Sequence, residues 1–364
     1  MISLEQKIGM REATALISLT IGLKISDLTP SVLFPYSMTA TWMVPIISSF
    51  IIVIPLLLLA AVQQKYPQKG LLDLIYFLTG KYVGFVLCFV LLLFFLATTI
   101  IYSRNFVDIV GSLYFPQTPP TFLYAVIMLA VFLIVTRGLE GVSRSAWLVL
   151  PYLLISFAIL LLFVWGDLTW ANLLPFTGSG MRQLLIEGTK HSFLFAELFL
   201  LFILAPFIRS YQAVRKATIV GFCVSLFALV IFFAVYIAMY NYPSVEHTAY
   251  PFQLLTRSVD LGPIFGNTES LFLGFWAIAM IVRLAIYLFV TFAIYSFVIR
   301  PKKQNFHLFV FTALIVAIGL VPESNIDILL FLRENWLYQL NWYLLLGIPL
   351  LIWVVGRSKK EERV

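Results

Sequence analysis

Six charged side chains lie inside long apolar runs: Lys24, Asp27, Arg104, Asp108, Glu197 and Arg283. A lone charge at bilayer depth costs roughly 3 kcal/mol or more, so such residues pair with one another or face a water-filled cavity. Lys24 and Asp27 stand in GLKISDLTPSVLFP (22–35), where Gly22 is flexible and Pro30 and Pro35 cannot donate backbone hydrogen bonds. A stretch that has lost helix bonds and carries two charges must face protein or a cavity. Glu197 stands near the middle of HSFLFAELFLLFILAPF (191–207), with Pro206 near its end. Arg104 and Asp108 are four residues apart, neighbours on one helix face. They read either as a self-neutralising pair that holds helices together or as a gate or carboxylate-binding arginine. Arg283 lies too deep in its run (271–299) to stay unpaired, with Glu197, Asp27 or Asp108 as its natural partner. Glu269 stands at the outer mouth of the same run.

The elements that hold these residues are membrane spans. Of the 364 residues 62% are apolar and 11% charged, against roughly 45–50% and about 25% in soluble domains. That excludes a soluble enzyme and a disordered chain, and the lack of alternation excludes an outer-membrane barrel. Ten apolar segments approach the length of about 20 residues that a spanning helix needs: 11–35, 40–62, 83–112, 121–136, 146–166, 189–208, 217–241, 268–298, 306–321 and 337–356. Residues 1–364 read as one polytopic membrane domain. Residues 71–81 read as a short interfacial helix, and 171–188 and 250–266 as amphipathic outer segments suited to be lids. The first segment, with Arg11 and Glu12 at its start, is not expected to be a cleaved signal.

Loop charges set the orientation. With the N-terminus in the cytoplasm, seventeen basic residues fall on that side: Lys7, Arg11, Lys65, Lys69, Lys81, Arg137, Arg144, Arg209, Arg215, Lys216, Arg300, Lys302, Lys303, Arg357, Lys359, Lys360 and Arg363. Four, Arg182, Lys190, Arg257 and Arg333, fall on the other. Both termini are therefore expected inside, and the net charge of +7 reports topology, with no nucleic-acid partner. Cys88 and Cys223 sit in apolar runs and read as buried small hydrophobes. The histidines His191, His247 and His307 do not cluster in sequence. With no Walker loop, HExxH or GxSxG set, no metal, cofactor or enzyme activity is expected.

Interruptions at corresponding positions of two halves point to a transporter site at the membrane midplane. Spans one and six open two five-helix halves, about 11–166 and 189–356. The expected architecture is thus all-α, ten transmembrane helices in a five-plus-five inverted repeat with helices one and six interrupted. The site would be built from Gly22, Lys24, Ser26, Asp27 and Thr29 of the first break, Phe195, Glu197 and Phe199 of the second, and Tyr102 of span three. Helix N-terminal dipoles at a break suit a carboxylate, and exposed carbonyls with Glu197 suit an ammonium. Arg104, Asp108, Arg283 and Glu269 would serve as gating or ion-pair residues. The alternative is that Pro30 and Pro206 merely kink their helices.

Several segments, in order, resemble the B subunits of spore germinant receptors, the endospore germination permease family within the amino acid/polyamine/organocation superfamily. They are the Gly-containing first break followed by Trp42; KYPQKGLLDLIYFLTGKYVG (65–84); Arg104; GLEGVSR (138–144); NLLPFTGSG (172–180); Glu197; and YPFQLLTRSVDLGPIFGNTESLFLGFW (250–276). The likeness spans essentially the full length. It implies a nutrient sensor in the inner membrane of a bacterial spore, working with an A subunit and a lipoprotein C subunit. A small germinant such as an amino acid would bind in this chain and start germination. A proton-coupled amino-acid permease is the alternative. One departure stands out: where the family's first break is Gly-rich and neutral, this chain carries Lys24 and Asp27. A lysine ammonium there either takes the place of a coupling cation or pairs with Asp27 and locks the break.

Overall fold

The computed structural model describes residues 7–246, 248–259, 268–321, 340 and 342–358, with only the backbone for 268–271. Among these residues the structure is helical, with a single isolated bridge between Ile8 and Ile208. The α-helices are α1 (Met10–Gly22), α2 (Thr29–Ser37), α3 (Val44–Lys65), α4 (Leu71–Leu113), α5 (Pro120–Val135), α6 (Gly138–Val164), α7 (Met181–Lys190), α8 (Leu198–Ile203), α9 (Tyr211–Tyr240), α10 (Tyr242–Val245), α11 (Pro251–Arg257), α12 (Thr268–Ile299), α13 (Gln304–Gly319) and α14 (Ile348–Ser358).

Among the described residues five stretches are long and apolar enough to cross a membrane: Thr29–Lys65, Leu71–Leu113, Gly138–Asp167, Tyr211–Tyr240 and Phe272–Ile299. Pro120–Val135, Gln304–Gly319 and Tyr343–Ser358 are shorter apolar helices. The first and sixth crossings fall below such a length because each is broken into pieces. Large apolar side chains such as Phe50, Leu57, Val86, Leu129, Leu162, Phe227 and Phe309 point outward, as they must where the surrounding solvent is lipid.

Hydrogen bonds between distant segments sort the chain into two ends. At one end Ile8 N–H donates to Phe207 at 2.9 Å, Arg209 N–H returns to Ile8 at 3.1 Å, and Lys65 reaches the Gly356 carbonyl at 3.2 Å. At the other, Thr39 donates to the Pro175 carbonyl at 2.6 Å and Ser179 to Tyr36 at 2.8 Å. There also Asn172 donates to Ala238 at 3.0 Å, and Ser31 to Ala249 at 2.6 Å. Following the chain from Ile8, the helices alternate between these ends, and Gly356 returns to the end that holds Ile8.

Two local features shape the path. Within α4 the interfacial helix and the third span are two helices that meet without a loop at a kink at Gly80, whose φ of 83° and ψ of 179° belong to a region open essentially to glycine alone. A Cβ built on Gly221 of α9 would lie 2.8 Å from Ile17 of α1, so this glycine lets the two helices approach closely. In the middle of the bundle α12 is buried over most of its turns from Val282 to Ile294. It packs against α4, α5 and α6, while α1 packs against α9 and α6.

Both expected interruptions are present. After α1 a 3-10 turn (Leu23–Ser26) leads to Asp27 in extended conformation (φ −102°, ψ −164°) before α2 begins at Thr29. After α7 a 3-10 turn (His191–Phe195) precedes α8, and a second one (Ala205–Phe207) follows it. Cys88 is buried as expected, but Cys223 is exposed on α9. An apolar run says that a cysteine is in the membrane, not whether its helix face meets protein or lipid.

Candidate functional site

The two breaks meet through one lysine. Lys24, fully buried, donates to the Glu197 carboxylate at 2.6 Å and to the carbonyls of Phe193 and Leu194 at 3.0 Å each. Those carbonyls belong to the 3-10 turn ahead of Glu197, and a carbonyl oxygen, with two lone pairs, can accept a second bond there. Glu197 receives at its other oxygen the hydroxyl of Tyr287 from α12, at 2.6 Å. The Lys24 ammonium also lies 5.5 Å from the centre of the Phe193 ring, close enough for attraction by the ring face.

A second pair closes the first break from the α12 side. Arg283, fully buried, donates to Asp27 at 3.0 Å and to the Leu23 carbonyl at 3.2 Å. The other Asp27 oxygen accepts the Thr29 N–H, the first donor of α2, at 2.7 Å. Gln253 of α11 donates to the Ser26 carbonyl at 3.1 Å. Arg283 also lies over the Tyr102 ring at 4.6 Å, and the rings of Tyr102 and Tyr287 sit 5.0 Å apart. Two buried cations thus face two buried carboxylates across the first break, the second break and α12, each paired as burial of a charge demands, although the Arg283 Nε–H finds no partner among the described residues.

Beside this cluster lies a small cavity of about 50 Å³, lined by Lys24, Phe94, Phe95, Thr98, Tyr102, Phe193, Glu197, Phe199, Ile203 and Tyr287 among others. Its volume holds a few waters. A larger cavity of about 320 Å³ opens at the end that carries Ile8, lined by Gly70, Asp73, Pro206, Ser296, Arg300 and Gln304 among others. Ile203 lines both.

Of the residues expected to bind ligand, Lys24, Tyr102, Glu197 and Phe199 line the small cavity together. Gly22 and Ser26 line a different cavity of about 40 Å³, against α6, α9 and Trp276. Asp27 is held by Arg283, Thr29 gives its N–H to Asp27, and Phe195 packs edge-on against Phe222 of α9 at 5.1 Å. The expected Arg104–Asp108 pair forms at 3.0 Å, and Arg104 also donates to the Gly319 carbonyl at 3.2 Å, tying α4 to α13. The Glu269 side chain lies outside the described residues, as do 260–267 of the second outer segment. Sequence reasoning missed Tyr287 and Gln253. Tyr287 had a signal: it stands one turn from Arg283, on the same helix face. Gln253 had none, because its partner is a backbone carbonyl of another element.

The comparisons agree with this architecture. A family model described as "Spore germination protein" matches residues 14–327. Among curated relatives, spore germination protein YndE of Bacillus subtilis (strain 168) is 24% identical over 326 residues, 88% of each chain. Spore germination proteins A2 and B2 of the same organism are each 23% identical. A2 matches over 76% of this chain and 74% of its own, and B2 over 64% and 63%. Among solved structures, MhsT in complex with L-phenylalanine superposes with a TM-score of 0.67 at 16% identity, covering 97% of this chain and 99% of that one. At that identity the likeness concerns the fold alone. A multi-pass membrane protein with this scaffold, matched over most of its length, belongs to the spore germination protein family, the germination permeases.

Proposed function

We propose that this chain is the germinant-sensing subunit of a spore nutrient receptor. It binds a small nutrient such as an amino acid beside Lys24, Glu197 and Tyr287 at the membrane midplane. It works with an A subunit and a lipoprotein C subunit in the spore inner membrane, both termini in the cytoplasm. The observation that carries this reading is the convergence of both helix breaks on one buried polar cluster that borders a cavity. Kinship to germination proteins A2 and B2 supports the receptor setting, and the transporter scaffold shared with the phenylalanine-bound MhsT supports a small-molecule site. At about 50 Å³ the cavity is small, well below the roughly 300–1,000 Å³ of ligand pockets. Ligand therefore acts by favouring a state in which the two repeats, about 11–166 and 189–356, part around it. The test is the germination response of spores carrying Glu197→Gln or Lys24→Ala, with subunit levels measured. A shifted or lost dose response in either is expected, and a normal one in both contradicts this pocket.

A second reading, a proton-coupled amino-acid transporter, draws on one observation. Lys24, Glu197 and Tyr287 form a chain of titratable groups beside a cavity that shares Ile203 with the large opening at the Ile8 end. Uptake by this chain alone in proteoliposomes, raised by a pH gradient, would establish it. Flux absent without the partner subunits favours the receptor.

A further inference from the structure

The frame around the Lys24 ammonium has the composition of a monovalent-cation site. It offers two backbone carbonyls from an interrupted helix, Phe193 and Leu194 at 3.0 Å, and one carboxylate, Glu197 at 2.6 Å, with the Phe193 ring face alongside. In transporters of interrupted-helix design, unwound carbonyls of this kind coordinate the coupling ion. Here the chain fills the place itself, from the opposite break. Two backbone acceptors at the first break are treated in the same way: Leu23 is taken by Arg283 and Ser26 by Gln253. The carbonyls that a mobile ion would need are thus engaged by side chains, and the charge that would neutralise Glu197 is covalently attached.

We infer that Lys24 is a built-in substitute for a coupling cation, so that the assembled site needs no sodium and, once Lys24 is shortened, becomes a site for a free monovalent cation or a small primary ammonium. The inference stands apart from the nutrient reading, because it is read on the purified chain with no nutrient present.

The experiment is thermal unfolding of the full chain in lipid nanodiscs in choline, sodium or n-propylammonium chloride at equal ionic strength. n-Propylammonium carries the atoms that Lys24→Ala removes beyond Cβ. The wild-type chain is expected to melt at the same temperature in all three. Lys24→Ala is expected to melt lower in choline and to regain several degrees in n-propylammonium, and part of that in sodium. Lys24→Ala/Glu197→Gln is expected to show no such regain, since the carboxylate is gone. If Lys24→Ala cannot be purified in choline, its recovery in n-propylammonium is the supporting result. Sodium stabilisation of the wild-type chain overturns the inference. So does a Lys24→Ala chain that is indifferent to all three salts, or one that neither salt recovers while the double variant folds.

Discussion

At the scale of single residues, the cluster is bound by two buried ion pairs, Lys24–Glu197 at 2.6 Å and Arg283–Asp27 at 3.0 Å. Removing one member of a buried pair costs about 3–5 kcal/mol, whereas replacing both can be neutral. Glu197→Gln is therefore expected to lower the melting temperature of the nanodisc-embedded chain strongly. Lys24→Met added to it should restore part of the loss, a coupling that a double-mutant cycle reads directly. Tyr287→Phe removes one hydrogen bond to a carboxylate, at 2.6 Å, and is expected to cost about 1.5–3 kcal/mol. The six buried charges are legible in the string because apolar flanks make them conspicuous. Their pairing is not: Arg283 had three candidate carboxylates and Lys24 had Asp27 close in sequence. The structure joins Lys24 to Glu197 and Asp27 to Arg283. That choice depends on the rotational setting of three helices, to which no local pattern speaks.

Among the elements, the two interruptions differ in origin. The first is written in its own residues, with Gly22, Pro30 and Pro35 around a 3-10 turn. The second has no glycine or proline between His191 and Glu197, and its 3-10 turn presents the carbonyls that Lys24 takes. A tertiary contact stabilises that break, so its own turn carried no signal beyond the embedded acid, with Pro206 nine residues further on. The bend in α4 is local again. Gly80→Ala is expected to destabilise by about 1–3 kcal/mol, because alanine is strained in that backbone region. No neighbour lies within 4 Å of the added Cβ to contribute a clash. Gly274→Ala, in α12 with equal room, is expected to be neutral or stabilising by about 0.5–1 kcal/mol. The same unfolding measurement separates the two.

Over the whole molecule, composition and hydropathy foretold the helical membrane class, since it follows from what lipid tolerates. They could not foretell which apolar face meets protein, as Cys223 shows, nor that Gly22 and Ser26 would border a separate cavity. Orientation can be checked with a membrane-impermeant maleimide. Arg182→Cys is expected to react in intact cells and Lys302→Cys only after permeabilisation, both positions being exposed. The central claim, that ligand acts in the midplane cavity, is tested most directly by filling that cavity without touching its charges. Thr98 lines it and bonds only its own helix through Phe94, so Thr98→Phe places a ring in the space while Lys24 and Glu197 remain. Measured as the nutrient concentration giving half-maximal germination, at unchanged receptor level, a rightward shift of tenfold or more is expected. An unaltered midpoint would contradict the account.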